Sequence, residues 1–211
     1  MADICYVRQG HEILTDNGPW DVDLIAEIAR TCYKSEPKGD TDEERFASNM
    51  RLVRALIGGN HGAMLEHSFM SVRFTMSRAI SAEMTRHRLF SFAHESTRYV
   101  NYDNRGFRFI LPETKNPFVL EEYRTACETS AKCYESLLEN GCKPEIARGV
   151  LPLCLAADVV VSGNFREWRH AFGLRTAKDA HPEIRALMTD LLKDARQTIP
   201  IIFDDLEPYE G

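Results

Sequence analysis

The chain reads as an α+β protein, a single domain over residues 1–211 with a small antiparallel sheet surrounded by helices. Three observations predict this. Residues 69–76 alternate, with Met70, Val72, Phe74 and Met76 on one face and Ser71, Arg73 and Thr75 on the other, the period of a half-buried strand. Ile184, Leu187, Met188, Leu191, Leu192 and Ala195 recur at helical spacing after Pro182. No internal repeat and no long linker divides the sequence.

The elements follow in order. Two short strands are expected at Ile4–Arg8 and His11–Leu14, turning at Gly10. Asp21 opens a helix with Leu24, Ile25, Ile28 and Ala29 on one face. A polar loop, Lys34–Asp40, precedes a helix from Thr41, where Glu44 completes a capping box, and its stripe is Phe46, Met50, Val53 and Leu56/Ile57. The alternating strand leads into a helix over Ser77–His87, then a polar loop rich in aromatics. Phe107–Leu111 is a short strand stopped by Pro112. Pro117 starts a long helix with Val119, Tyr123, Ala126, Tyr134 and Leu137/Leu138 inward, ended by Gly141. A short helix from Pro144, a strand over Asp158–Ser162, and helices over Phe165–Leu174 and from Pro182 to Pro200 complete the chain.

Composition narrows the function classes. The 211 residues are 44% hydrophobic and 27% charged, which fits a soluble globular protein and not a disordered or fibrous one. Six cysteines without a C-x-x-C pair, and no secretory signal, read as reduced thiols of a cytoplasmic protein. No apolar run is long enough for a transmembrane helix. The net charge of −6 argues against a general nucleic-acid coat. Yet residues 73–108 hold seven arginines, no lysine and three acids, a local +4. Arginine without lysine suits bidentate recognition of phosphate or carboxylate, or else helix-surface ion pairs.

The densest polar stretch runs from Arg86 to Tyr99. It holds Arg86, His87, Arg88, Ser91, His94, Glu95, Ser96 and Arg98, enough donors to meet an anionic ligand. Here the chain resembles the flavin-dependent thymidylate synthases. Their signature is Arg-His-Arg, seven residues, then Ser, continuing into Ser-x-Arg-Tyr. Arg86-His87-Arg88 and Ser96-Thr97-Arg98-Tyr99 meet it. Four more segments agree in order and spacing: His61–His67, Ala147–Pro152, Asn164-Phe165-Arg166 and Leu174-Arg175.

The resemblance implies the fold of that family and its reaction. dUMP is methylated to dTMP, with 5,10-methylenetetrahydrofolate as carbon donor, FAD as cofactor and NADPH as reductant. The enzyme is implied to be a homotetramer with active sites where subunits meet. It also implies site residues. For dUMP these are Glu83, Met84, Thr85, Arg86, Glu95, Ser96, Thr97, Arg98, Arg148 and Arg175. For FAD they are His61, Arg86, His87, Arg88, His94, Asn164, Arg166 and His170. Arg98 and Arg148 hold the phosphate. Arg175 is the catalytic group: a guanidinium beside the uracil favours the N3-deprotonated ring and makes C5 more nucleophilic.

The chain departs from the family pattern in places. His94-Glu95 stands where many members have the acid one residue earlier, which leaves open which of the two faces the ligands. His170 replaces a common asparagine, Asp179-Ala180-His181 replaces a His-x-Gln, and Cys32 stands for serine. Read without the resemblance, Arg148 and Arg175 in apolar stretches suit structural ion pairs, His61 a helix cap, and Ser96 a bond to its own loop. Two other functions compete. One is a single-stranded nucleic-acid module stacking bases on Phe90, Phe92, Tyr99 and Tyr102 within loop 86–102. The other is a metal hydrolase using His61, His67, His87 and His94, whose spacings fit no compact metal motif, so no metal is expected.

Overall fold

The computed structural model describes residues 3–209. In chain order it contains β1 (Ile4–Val7), β2 (Gly10–Ile13), α1 (Pro19–Thr31), α2 (Asp42–Gly58), a 3-10 segment (Gly62–His67), β3 (Phe69–Ser77), α3 (Arg78–Met84) and β4 (Ser91–His94). Then come α4 (Tyr102–Arg105), β5 (Phe107–Ile110), α5 (Pro117–Glu139), α6 (Pro144–Ala147), a 3-10 turn (Arg148–Val150), β6 (Ala156–Asn164), α7 (Phe165–Arg175) and α8 (Pro182–Thr198). Four strands form one sheet in the order β2-β3-β6-β4. Side chains fix the antiparallel register of its central pair: Ser71 Oγ meets Ser162 Oγ at 2.7 Å and Thr75 donates to Asp158 at 2.8 Å. Among the described residues no helix is long and apolar enough to cross a membrane.

The two N-terminal strands do not pair with each other across Gly10, as the sequence suggests. β1 instead lies parallel to β5, with Ile4 opposite Phe107 and Val7 opposite Ile110, while β2 joins β3. The approach is close. Gly106 has φ +76°, and a Cβ there would sit 2.9 Å from the Asp3 carbonyl oxygen, which accepts the Phe107 N–H at 2.8 Å.

The chain divides into two compact units. One comprises residues up to 12, 73–88 and 92–161; the other comprises 13–72, 89–91 and 162 onward. The first has a core of Tyr102, Phe107, Phe109, Cys127, Ala131, Tyr134, Ala147 and Leu155. Phe107 and Phe109 lie with rings parallel, and Tyr134 meets Phe107 edge-on. The buried stripe of α5 is Cys127, Ala131 and Tyr134, while Tyr123 and Ala126 are exposed, contrary to expectation. Small side chains at 127 and 131 let the helix approach the aromatic floor, which periodicity alone does not weigh.

In the second unit, α1 buries Val22, Ile25, Ala26 and Ala29, and α2 buries Val53. Thr41 and Glu44 close the expected capping box on α2. All six predicted inward positions of α8 are buried. The Trp168 indole N–H donates to the Met70 carbonyl at 2.9 Å, and the Phe90 ring packs 4.5 Å from the Trp168 ring. Phe90 also lies where a Cβ on Gly163 would have to be, so β6 needs glycine at that point.

Candidate functional site

In the first unit the Arg-His-Arg motif starts where α3 ends. Helix α3 stops at Met84, three residues before expectation. The Thr85, Arg86 and His87 N–H groups still bond back to Ser81, Glu83 and Met84 as the last turn opens. Glu83 is half-buried and Met84 buried, while Thr85 is exposed and its hydroxyl donates to the Ala82 carbonyl. The opened turn splits the motif: Arg86 and Arg88 are exposed and His87 is buried.

The strand β4 lies inside the stretch read from sequence as loop, and it decides where His94 and Glu95 point. His94 Nε2 is 3.0 Å from Ser81 Oγ, and its Nδ1 is 2.9 Å from the Glu95 carbonyl. The Glu95 carboxylate accepts from the Tyr102 hydroxyl at 2.7 Å, from Arg108 at 3.1 Å and from the Asp158 N–H at 3.3 Å. Arg78 donates to the Glu95 carbonyl at 2.8 Å. Both side chains therefore bond protein groups that hold the loop. Burial, with the Glu95 carboxylate beside it, pushes the Tyr102 hydroxyl well above its usual range. Burial alone would raise the Asp158 carboxyl, but hydrogen bonds from Arg108 and Thr75 outweigh it and hold the group low. The Arg108 guanidinium is raised in turn, its desolvation overcome by Asp158 and Glu95.

Beyond this anchor, Ser96 accepts the Arg98 N–H at 3.3 Å, and a pair of arginines forms. Arg98 Nε donates to the Glu145 carboxylate at 3.0 Å. Arg148 Nε donates to the Glu145 carbonyl at 3.1 Å, and its Nη1 to the Thr97 hydroxyl at 3.1 Å. Glu145 thus positions both guanidinium groups. Both are exposed, and their remaining N–H donors have no protein partner among the described residues. Such donors suit a dianionic phosphate.

In the second unit the remaining candidates cluster on the 3-10 segment and α7. Asn164 caps α7, its Oδ1 accepting the Glu167 N–H at 2.9 Å. Arg166 pairs with Glu66 at 2.5 Å and lies over Gly62, where a Cβ would come within 3.2 Å of Arg166 Nε. His61 is exposed at the start of the 3-10 segment, and its N–H bonds the Leu56 carbonyl. His170 is exposed one turn after Arg166, and Arg175 is the half-buried last residue of α7. Glu167 is buried, and burial raises its carboxyl despite the charge of His170 nearby.

A model of the family described as Thymidylate synthase complementing protein matches residues 14–201. A flavin-dependent thymidylate synthase of Geobacter sulfurreducens is 34% identical over 87% of this chain and 81% of its own length. The chain belongs to the flavin-dependent thymidylate synthase family. A Corynebacterium aurimucosum member is 32% identical over 95% of this chain and 86% of its own. The fold is also that of the UMP/dUMP methylase PolB from Streptomyces cacaoi. Its structure with 5-Br dUMP has a TM-score of 0.80 at 23% identity over 96% of this chain and 95% of that one. Its structure with 5-Br UMP gives 0.75 at 21% over 95% of each.

The nucleic-acid reading is not supported. The matches are to thymidylate synthases, and of its four stacking aromatics Phe90 and Tyr102 are buried. The roles of several residues that organise this family member's candidate site escaped the sequence reading, in which Tyr102 figures only as a stacking ring. Glu145, Asp158, Arg108 and Tyr102 act through partners 7 to 63 positions away, a pairing no local pattern encodes. Glu66 had a signal, since it lies inside the His61–His67 segment.

Proposed function

We propose that this chain is a flavin-dependent thymidylate synthase that converts dUMP to dTMP, with 5,10-methylenetetrahydrofolate as carbon donor and NADPH as reductant. The observation that carries this is the Arg98–Glu145–Arg148 arrangement, two exposed guanidinium groups with unused donors held by one acid. They bind the dUMP phosphate, with Ser96 and Thr97 completing the loop around it. Glu83, Met84, Thr85 and Glu95 shape the nucleotide side, Glu95 by anchoring the loop from within.

The donor set suits FAD, whose diphosphate needs fixed cations. Arg86, Arg88 and Arg166 are exposed, and Gly62 leaves room for the Arg166 side chain. His61, His87, His94, Asn164 and His170 complete that assignment. When bound, FAD supplies the reducing equivalents. Arg175 places positive charge beside the pyrimidine and so stabilises the N3-deprotonated ring. We read residues 1–211 as one catalytic domain, working as a homotetramer whose sites are completed between subunits. None of the six cysteines is in a disulfide, which supports action in the cytoplasm.

The test is direct. Purified protein should absorb as a flavoprotein and form dTMP only when dUMP, methylenetetrahydrofolate and NADPH are all present. A colourless protein that binds no added FAD, or one that forms no dTMP with every substrate supplied, would refute the reading.

A further inference from the structure

We propose that the C-terminal tail, residues 199–209, is a strap that positions Arg175 by fixing the length of α7, and that Tyr209 is its final clasp. This rests on the reading of Arg175 given above. Four positions of α7 and its end carry the argument. Phe165, Arg169, Phe172 and Thr176 follow one another at helical intervals of four, three and four residues, so they form a single line along the helix. The tail runs along that line. Phe203 sets its ring edge-on against Phe165 at 5.7 Å and Phe172 at 5.3 Å. Asp205 receives both ends of the Arg169 guanidinium at 2.6 Å, a bidentate pair. Arg169 also donates to the Ile202 carbonyl. The Tyr209 N–H then donates to the Thr176 carbonyl at 2.9 Å.

Thr176 directly follows Arg175. Two cations of the next loop and helix lie against the Tyr209 ring, with Lys178 Nζ 5.7 Å and Arg185 Cζ 5.2 Å from its centroid. Arg185 in turn donates to the Lys178 carbonyl at 2.6 Å, closing the loop that begins at Arg175. The turn into the strap is also tightly determined. Ile201 is buried and β-branched yet has φ +62°, a conformation that persists only where the surroundings enforce it. Most of this strap, from residue 202 on, lies past the stretch the family model matches. A guanidinium that must meet a planar ring edge tolerates little displacement, and a support at the residue after it limits that displacement.

Flavin-loaded Tyr209→Ala, Tyr209→Phe and Arg175→Lys enzymes test this against wild type. Each is measured for thermal unfolding, dUMP dissociation constant and single-turnover dTMP formation at saturating dUMP. Tyr209→Ala should keep its flavin and unfolding midpoint, shift dUMP affinity by less than about threefold, and slow dTMP formation by about tenfold to a hundredfold. Tyr209→Phe should keep the rate, because the ring still meets both cations. A normal rate in Tyr209→Ala, an equal loss in Tyr209→Phe, or a loss explained by unfolded protein would overturn the strap. A normal Arg175→Lys rate would remove the Arg175 reading and the strap with it. A slow Arg175→Lys beside a normal Tyr209→Ala would remove the strap alone.

Discussion

At Glu95 one carboxylate gathers a hydroxyl, a guanidinium and a backbone N–H. Removing it strands partly buried donors, which is the costly direction of loss. Glu95→Ala should therefore lower stability by about 2–3 kcal/mol in urea unfolding and weaken dUMP binding only as the loop loosens. Arg148→Ala should do the opposite. Its side chain is exposed and, among the described residues, bonds Thr97 and the Glu145 carbonyl, so stability should change little. dUMP affinity should fall by about 1.5–3 kcal/mol, the worth of a charged hydrogen bond, while FAD stays bound. Calorimetric titration with dUMP, beside the flavin spectrum, checks both. The motif made Arg98 and Arg148 visible as a pair. It did not show Glu145, since an acid beside a proline carries no local sign of which cations it serves.

Among the elements, α7 gathers the most functions. Its cap, Asn164, and the preceding Gly163 lie at the end of β6, and Phe90 fills the space above that glycine. Gly163→Ala should displace Phe90 from Trp168 and cost about 1–3 kcal/mol, read as a lower midpoint in thermal unfolding. The middle of α7 is tied to the tail by Asp205, which receives Arg169. A hydrogen bond from Arg169 holds its carboxyl below the usual range, against the opposing effect of burial. A carboxyl depressed in the folded state adds stability above its unfolded pKa, and that stability disappears as pH falls through the folded value. The deficit of Asp205→Asn against wild type should therefore be full near neutrality and should close below about pH 4. Thermal midpoints measured across that range check the sign. Helix α7 was legible as a helix from its spacing. Its partner tail was not, because residues 199–209 have no periodicity of their own.

For the whole molecule, a homotetramer is the expected assembly. Light scattering of purified protein should give four times the 24.1 kDa chain mass. An active monomer would show that the site closes within one chain. The sequence by itself determined the α+β class, the strand at residues 69–76, the six buried positions of α8 and the family, because each is written in local period or ordered motif. Only the tertiary structure decided that β1 leaves β2 for a parallel partner about a hundred residues away. It alone placed β4 inside an apparent loop, put Cys127 and Ala131 on the buried stripe of α5 beside the expected Tyr134, and turned His94 and Glu95 toward protein partners. The reason is common to all four: they are set by which distant side chains meet, and neither period nor propensity records that.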